Sequence, residues 1–191
     1  MKPPLVLASQ SPRRKDLLGI LGIPFSVVPA SIDEAPVSGE SPENFVVRIA
    51  REKCAEVASR VSQSVVLSAD TIVTVDGDIL GKPSDEKDVI RMLQRLSGRR
   101  HSVYTAVCVI NQLKPETFEG LDRTDVWFNP MSDAEILNYV RRENVMDKAG
   151  AYAIQGFAAV YIPRIEGNYS NVMGFPLPVV YELLKRSFEE T

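Results

Sequence analysis

This chain of 191 residues has one histidine, His101, and two cysteines, Cys54 and Cys108. A single histidine excludes a two-histidine metal site. The cysteines lie in apolar patterns without ligand spacing, so they read as buried thiols of a reducing compartment and not as a disulfide or a zinc site. No nucleophile is paired with His101 by a recognisable motif, so a structural or supporting place is expected for it and a general-base role has no support. Surplus positive charge is also missing. Against 22 Lys and Arg stand 25 Asp and Glu, a net charge of −3, which counts against a general nucleic-acid or membrane-surface binder. No stretch approaches the ~18 apolar residues of a membrane span. Pro3 and Pro4 interrupt the start, so no signal peptide is expected. Repeats, low-complexity tracts and long linkers are absent. The expectation is a cytoplasmic protein forming one domain over residues 1–191.

At 45% hydrophobic residues, the chain can bury a substantial core without staples. Leu5-Val6-Leu7 reads as a buried strand. Ser11 caps a helix whose first position is Pro12; Leu17, Leu18 and Leu21, with Ile20 beside them, form its apolar face, and Gly22 closes it. Arg13, Arg14 and Lys15 crowd the first turn, where the helix dipole disfavours each cation by ~0.3–1 kcal/mol. An anion docked there, a polyphosphate being the natural candidate, explains the arrangement; a solvated basic turn is the plainer alternative. Ile23–Pro29 fits an edge strand, and residues 30–41 form a polar loop holding Asp33 and Glu34.

Ser41-Pro42 launches a second helix to about Arg60. Its core face is Phe45, Val46, Ile49, Ala50, Cys54 and Val57, and Lys53 falls near the middle of that arc. An ammonium there must snorkel out or meet an anion. Val65–Val75 reads as a strand continued through an Asp76-Gly77 hairpin into Asp78–Leu80. Asp70, inside this apolar strand, demands a cationic or metal partner. Lys82, between Gly81 and Pro83, lies where the hairpin could return it toward Asp70; an exposed turn lysine is the alternative.

A capped helix is expected from Ser84 to Ser97, with Val89, Met92, Leu93 and Leu96 inward. After Arg99-Arg100-His101 come strands over Val103–Ile110 and 117–128. Ser132 and Glu135 form a capping box ahead of a helix carrying Ile136, Leu137, Tyr139 and Val140. In the block 147–156 small residues bracket polar ones; Gln155 could read an amide edge or lie on the surface. A strand over Ala158–Ile162, a turn at Gly167-Asn168 and a last helix to about Arg186 follow. Alternating strands and helices predict an α/β or α+β protein with a mixed sheet. Separated cations with one or two acids suggest phosphate chemistry, in which carboxylates hold a divalent metal or activate water.

The segments Ser9-Gln10-Ser11-Pro12-Arg13-Arg14, Arg51-Glu52-Lys53, Ser68-Ala69-Asp70-Thr71-Ile72-Val73, Gly81-Lys82-Pro83, Leu96-Ser97-Gly98-Arg99 and Asp147 to Gly156 resemble, in order, the signature blocks of the Maf family of nucleoside triphosphate pyrophosphatases. The resemblance implies a mixed α/β fold related to the inosine triphosphate pyrophosphatases. Its twisted mixed sheet has flanking helices and a cleft between two lobes, usually in a homodimer. It further implies hydrolysis between the α and β phosphates, giving monophosphate and pyrophosphate, with a divalent cation, magnesium or manganese. Asp70 would accept the proton of the attacking water. Ser9, Arg13, Arg14, Lys53 and Lys82 would hold the triphosphate, and Glu34 with Asp70 would serve the metal. Arg13, Thr71 and Gln155 match the branch resembling dTTP/UTP pyrophosphatases. Modified pyrimidine triphosphates such as pseudo-UTP fit the same contacts. Rival readings are a phosphatase releasing single phosphates, a 7-methyl-GTP pyrophosphatase, and a non-catalytic nucleotide-binding regulator of cell division and septum formation.

Overall fold

Serine-then-proline starts open the first two helices, as expected. The computed structural model describes residues 3–114 and 116–189. Strand β1 (Leu5–Leu7) leads through Ser11, whose hydroxyl caps Arg14 N, into α1 (Pro12–Gly19). Helix α1 ends before Leu21: Ile20, Leu21 and Gly22 form a turn closed by a Gly22 φ of 65°, and Ile20 is 68% exposed instead of flanking a buried face. Strand β2 (Phe25–Val27) is the sheet edge, parallel to β1. Helix α2 (Pro42–Ala58), capped by Ser41, buries the six residues its periodicity selected. Strand β3 (Val65–Val75) runs parallel to β1 and turns back through Asp76 and Gly77, both at positive φ, into antiparallel β4 (Asp78–Leu80). That is the left-handed pair a tight hairpin requires.

Helix α3 (Glu86–Leu96) takes Asp85 as its cap, not Ser84, because the Asp85 carboxylate accepts from Asp88 N at 2.8 Å. Strand β5 (Arg100–Asn111) begins within the basic cluster, and β6 (Glu116–Trp127) follows. The capping box opens α4 (Asp133–Arg142). The expected strand at 158–162 is absent: Phe157–Tyr161 is a 3₁₀ turn, held by Ala159 N to Gly156 O at 3.1 Å and Ile162 N to Ala159 O at 3.3 Å. Its alanines have little strand preference, so local bonds decide. The strand lies just beyond, as β7 (Arg164–Glu166), antiparallel to β6. A short α5 (Tyr169–Val172), which the sequence did not suggest, precedes α6 (Leu177–Phe188).

The strands form a mixed sheet in the order β2-β1-β3-β5-β6-β7, with β4 also on β3. Two compact units are distinguished. The first is assembled from the segments up to Asp70, from Thr105 to Asp122 and from Gly174 onward; the second from Thr71–Tyr104 and Arg123–Met173. Strands β3, β5 and β6 contribute to both. The core of the second unit gathers Val73, Leu93, Leu96, Phe128, Ile136, Tyr139 and Tyr152, among others. In the first, Leu7 and Leu67 of the sheet and Leu18, Val46 and Ile49 of the helices are fully buried.

Candidate active site

In the first unit, β3 and α2 are locked in register below the site. Ser68 Oγ donates to Ala50 O at 2.6 Å and Cys54 Sγ to Val66 O at 3.3 Å. Ser68 and Asp70 share one face of the strand because side chains alternate, and Lys53 stands on the helix next to Cys54. This brings Lys53 Nζ to 2.7 Å from Asp70 Oδ1 and 2.9 Å from Glu34 Oε1. Both charges of the inner pair are largely withdrawn from water, with side-chain exposures of 13% for Lys53 and 10% for Asp70, whereas Glu34 is 45% exposed. Lys53 therefore meets the protein's own carboxylates instead of snorkelling, and Asp70 has the cation its burial demanded.

Arg14 lies against the same strand. Its Nη1 donates to Ala69 O at 2.7 Å and reaches Ser9 Oγ at 3.5 Å, while Nε donates to Gly174 O at 2.9 Å. The guanidinium thus ties α1 to the peptide just before Asp70 and to the loop before α6. Burial pushes it below the usual arginine value; the negative charge of Asp70 opposes this, Arg13 adds to it and Glu34 opposes it. Ser9 is buried, and its hydroxyl accepts from Ser11 N at 3.2 Å. Arg13 differs from its neighbour. Its Nε is buried yet has no hydrogen-bond partner among the described residues. A buried donor left unpaired costs roughly 1–3 kcal/mol, and an anion at this helix start removes that cost.

Among the described residues, no group of three or more His, Cys, Asp or Glu is arranged to hold a metal ion. Glu34 and Asp70 nevertheless converge on one point of positive charge, the Lys53 ammonium. A pair of carboxylates suits magnesium when phosphate oxygens and water complete the shell. The donor set fits a cation that arrives with a polyphosphate.

Lys82, Thr71 and Gln155 belong to the second unit. Lys82 is exposed and makes no ion pair among the described residues. The preceding carbonyl, Gly81 O, accepts from Gly150 N at 3.0 Å, so the lysine's turn is docked on the 147–156 block. Gly150 has φ 69°, and a Cβ there would lie 3.0–3.1 Å from the Val73 side chain. The small residue is needed for this approach. Ala151 follows, also left-handed at φ 57°, a strained conformation that the buried surroundings enforce. Tyr152 is held from beneath by His101, with Nε2 2.8 Å from its hydroxyl. His101, Tyr152 and Phe128 pack mutually edge-to-face at 5.0–5.3 Å. Burial lowers the His101 value to about 4, against an opposing charge from Asp125, so the ring is neutral at pH 7. Thus His101 supports the block, as expected for a supporting group.

Gln155 is exposed at a turn closed by Gly156 N to Ala153 O at 3.0 Å. Its amide makes no hydrogen bond among the described residues. Sequence reading missed Glu143, whose carboxylate accepts from Phe157 N at 2.7 Å beside this turn. The available signal was an acid at the C-terminal end of α4, where the dipole disfavours it.

The family model described as Maf-like protein matches residues 4–187. A curated relative from Syntrophomonas wolfei, named dTTP/UTP pyrophosphatase, is 47% identical over 94% of this chain and 95% of its own length. Relatives of the same name from Geotalea uraniireducens and Anaeromyxobacter dehalogenans are 46% and 48% identical, covering 97% and 98% of this chain and 95% of their own lengths. Among solved structures, the Staphylococcus aureus Ham1 protein superposes with a TM-score of 0.48 at 16% identity, over 65% of this chain and 71% of that one, a likeness silent on activity.

Proposed function

The chain belongs to the Maf family, and from that premise we propose that it hydrolyses dTTP and UTP to the monophosphate and pyrophosphate. The observation that carries the reading is the Asp70–Lys53–Glu34 constellation in the first unit, which also holds Arg13, whose buried Nε has no hydrogen-bond partner among the described residues. It combines a carboxylate able to take a proton with cationic groups able to take phosphate oxygens. Relatives named dTTP/UTP pyrophosphatase at 46–48% identity support the substrate class.

In this reading, the Ser9 hydroxyl, Arg13, Arg14 and the Lys53 and Lys82 ammonium groups bind the triphosphate. Arg14 also fixes the Ala69 peptide, and so the strand position of Asp70. Asp70 orients the attacking water and takes its proton at the carboxylate. Lys53, 2.7 Å from that carboxylate, holds it in place and turns toward phosphate oxygens as charge develops on them. Glu34 and Asp70 would hold a magnesium or manganese ion, whose chemistry there would be to neutralise phosphate charge. At the base, the unpartnered Gln155 amide offers a donor and an acceptor, which suit the carbonyl, N–H, carbonyl edge shared by thymine and uracil. Arg13 and Thr71 complete the pyrimidine preference, and pseudo-UTP and 5-methyl-UTP present the same edge.

No helix among the described residues is long and apolar enough to cross a membrane. We take the protein to act in the cytoplasm as a homodimer, which sedimentation at micromolar concentration tests. The function itself is tested by chromatography of products from dTTP, UTP, CTP, GTP and 7-methyl-GTP with magnesium. Equimolar monophosphate and pyrophosphate from dTTP and UTP is expected. Orthophosphate identifies a phosphatase, turnover of 7-methyl-GTP alone identifies the other branch, and binding without turnover identifies a regulator.

A further inference from the structure

Helix α4 ends at Arg142 with Glu143 as its cap, and both side chains turn to the segment that carries Gln155. The Arg142 guanidinium lies over the Phe157 ring at 4.7 Å, and the Glu143 carboxylate accepts from Phe157 N at 2.7 Å. The carboxylate also fills the space over Gly156, where an added Cβ would lie 3.0 Å from both of its oxygens. Across the turn, Gly156 N is bonded to Ala153 O. Gln155 is therefore the exposed apex of a turn whose following peptide is pinned by one ionised side chain at a helix end. A charge-assisted bond of this kind is about twice as strong as a neutral one, and α4 gives it a rigid base.

We propose that Glu143 is a positioning residue for substrate selection: it fixes the turn that presents the Gln155 amide to the base. This rests on Gln155 being the base reader. Glu143 touches no reacting atom; it sets where the amide stands. Misplacement of a recognition group by about an ångström costs up to a hundredfold in rate, so the effect of losing Glu143 falls on discrimination and not on phosphate binding.

The test compares Glu143→Ala, Glu143→Gln, Gly156→Ala, Gln155→Ala and the Glu143→Ala/Gln155→Ala double variant. Each is measured for kcat and KM on dTTP, UTP and CTP, for inhibition by inorganic tripolyphosphate, and for thermal midpoint. Glu143→Ala is expected to lower kcat/KM for dTTP by about tenfold or more and to shrink the dTTP-over-CTP preference, leaving tripolyphosphate inhibition within about twofold. Glu143→Gln retains an accepting oxygen and restores most of the preference. Gly156→Ala displaces the carboxylate and reproduces Glu143→Ala, which keeps the idea testable if the latter folds poorly. In the Gln155→Ala background, removing Glu143 has little further effect on preference, since the reader is already gone. If Gln155→Ala collapses the preference and Glu143→Ala and Gly156→Ala leave it intact, the positioning role alone is refuted. If Gln155→Ala itself leaves the preference intact, the base-reading assignment fails and the positioning role falls with it. Equal losses on all three nucleotides and on tripolyphosphate inhibition also overturn it.

Discussion

One identifiable part of this protein's acid sensitivity should come from a single side chain, His101. The ring is 2% exposed, bonded through Nε2 to Tyr152 and packed edge-on against Phe128 and Tyr152, while Nδ1 is buried without a partner among the described residues. Burial holds its value at about 4, against 6.5 for an ordinary imidazole. A depressed histidine means that the unfolded chain takes up the proton first. Its contribution to stability is complete above pH 6.5 and is lost as the pH falls toward 4. At about 1.4 kcal/mol per pH unit the full loss comes to about 3 kcal/mol. The carboxylates of Glu40, Glu56, Asp88 and Glu135, held low by hydrogen bonds from Arg48, Arg60, Arg91 and Ser132, add acid sensitivity of their own. A difference measurement removes that background. His101→Gln keeps a hydrogen-bonding group near Tyr152 but cannot titrate. Urea unfolding of both proteins at several values between pH 7 and pH 4 should show the gap between them closing or reversing by about 3 kcal/mol as the pH falls. A gap that stays constant across that range refutes the buried, neutral histidine as the source.

Two other substitutions separate structure from chemistry. Lys53→Met strands the buried Asp70 carboxylate and should cost about 3 kcal/mol of stability, with most turnover lost; Glu34→Gln, at an exposed partner, should cost less than about 1 kcal/mol. Equal thermal shifts for the two would contradict the picture of an inner pair with an outer acid. Gly150→Ala must place a Cβ 3.0–3.1 Å from Val73 at φ 69°. Strain of this kind costs about 1–3 kcal/mol, and a thermal midpoint unchanged from the parent would show that the block relaxes freely.

Charge placed against stability was the legible part of the site. Arg13, Lys53 and Asp70 stand where a helix start, a core-facing arc and an apolar strand do not favour charge, and the structure pairs Lys53 with Asp70. The hairpin was equally legible, because Asp76-Gly77 is the chemistry that a tight turn of left-handed residues needs. Other features had no local signature. The partners of Arg14 are carbonyls of Ala69 and Gly174, and every residue carries a carbonyl, so nothing in the sequence marks these two. Ser84 and Asp85 are both good caps, and backbone position alone chose Asp85. The apolar run from Ala158 to Ile162 suits a strand or a tight helical turn, and the neighbouring Glu143 anchor and local bonds decide for the turn.

The measurement that bears most directly on the central claim is product formation from dTTP with magnesium by the parent protein and by Asp70→Asn, side by side, with nucleotide affinity measured on the same samples. The parent should release thymidine monophosphate and pyrophosphate in equal amounts. Asp70→Asn should still bind dTTP, through Arg13, Lys53 and Lys82, and turn over about 10²–10⁴-fold more slowly, the usual contribution of a positioned proton acceptor. A variant that keeps the parent's rate, or a parent that releases orthophosphate, would contradict the account.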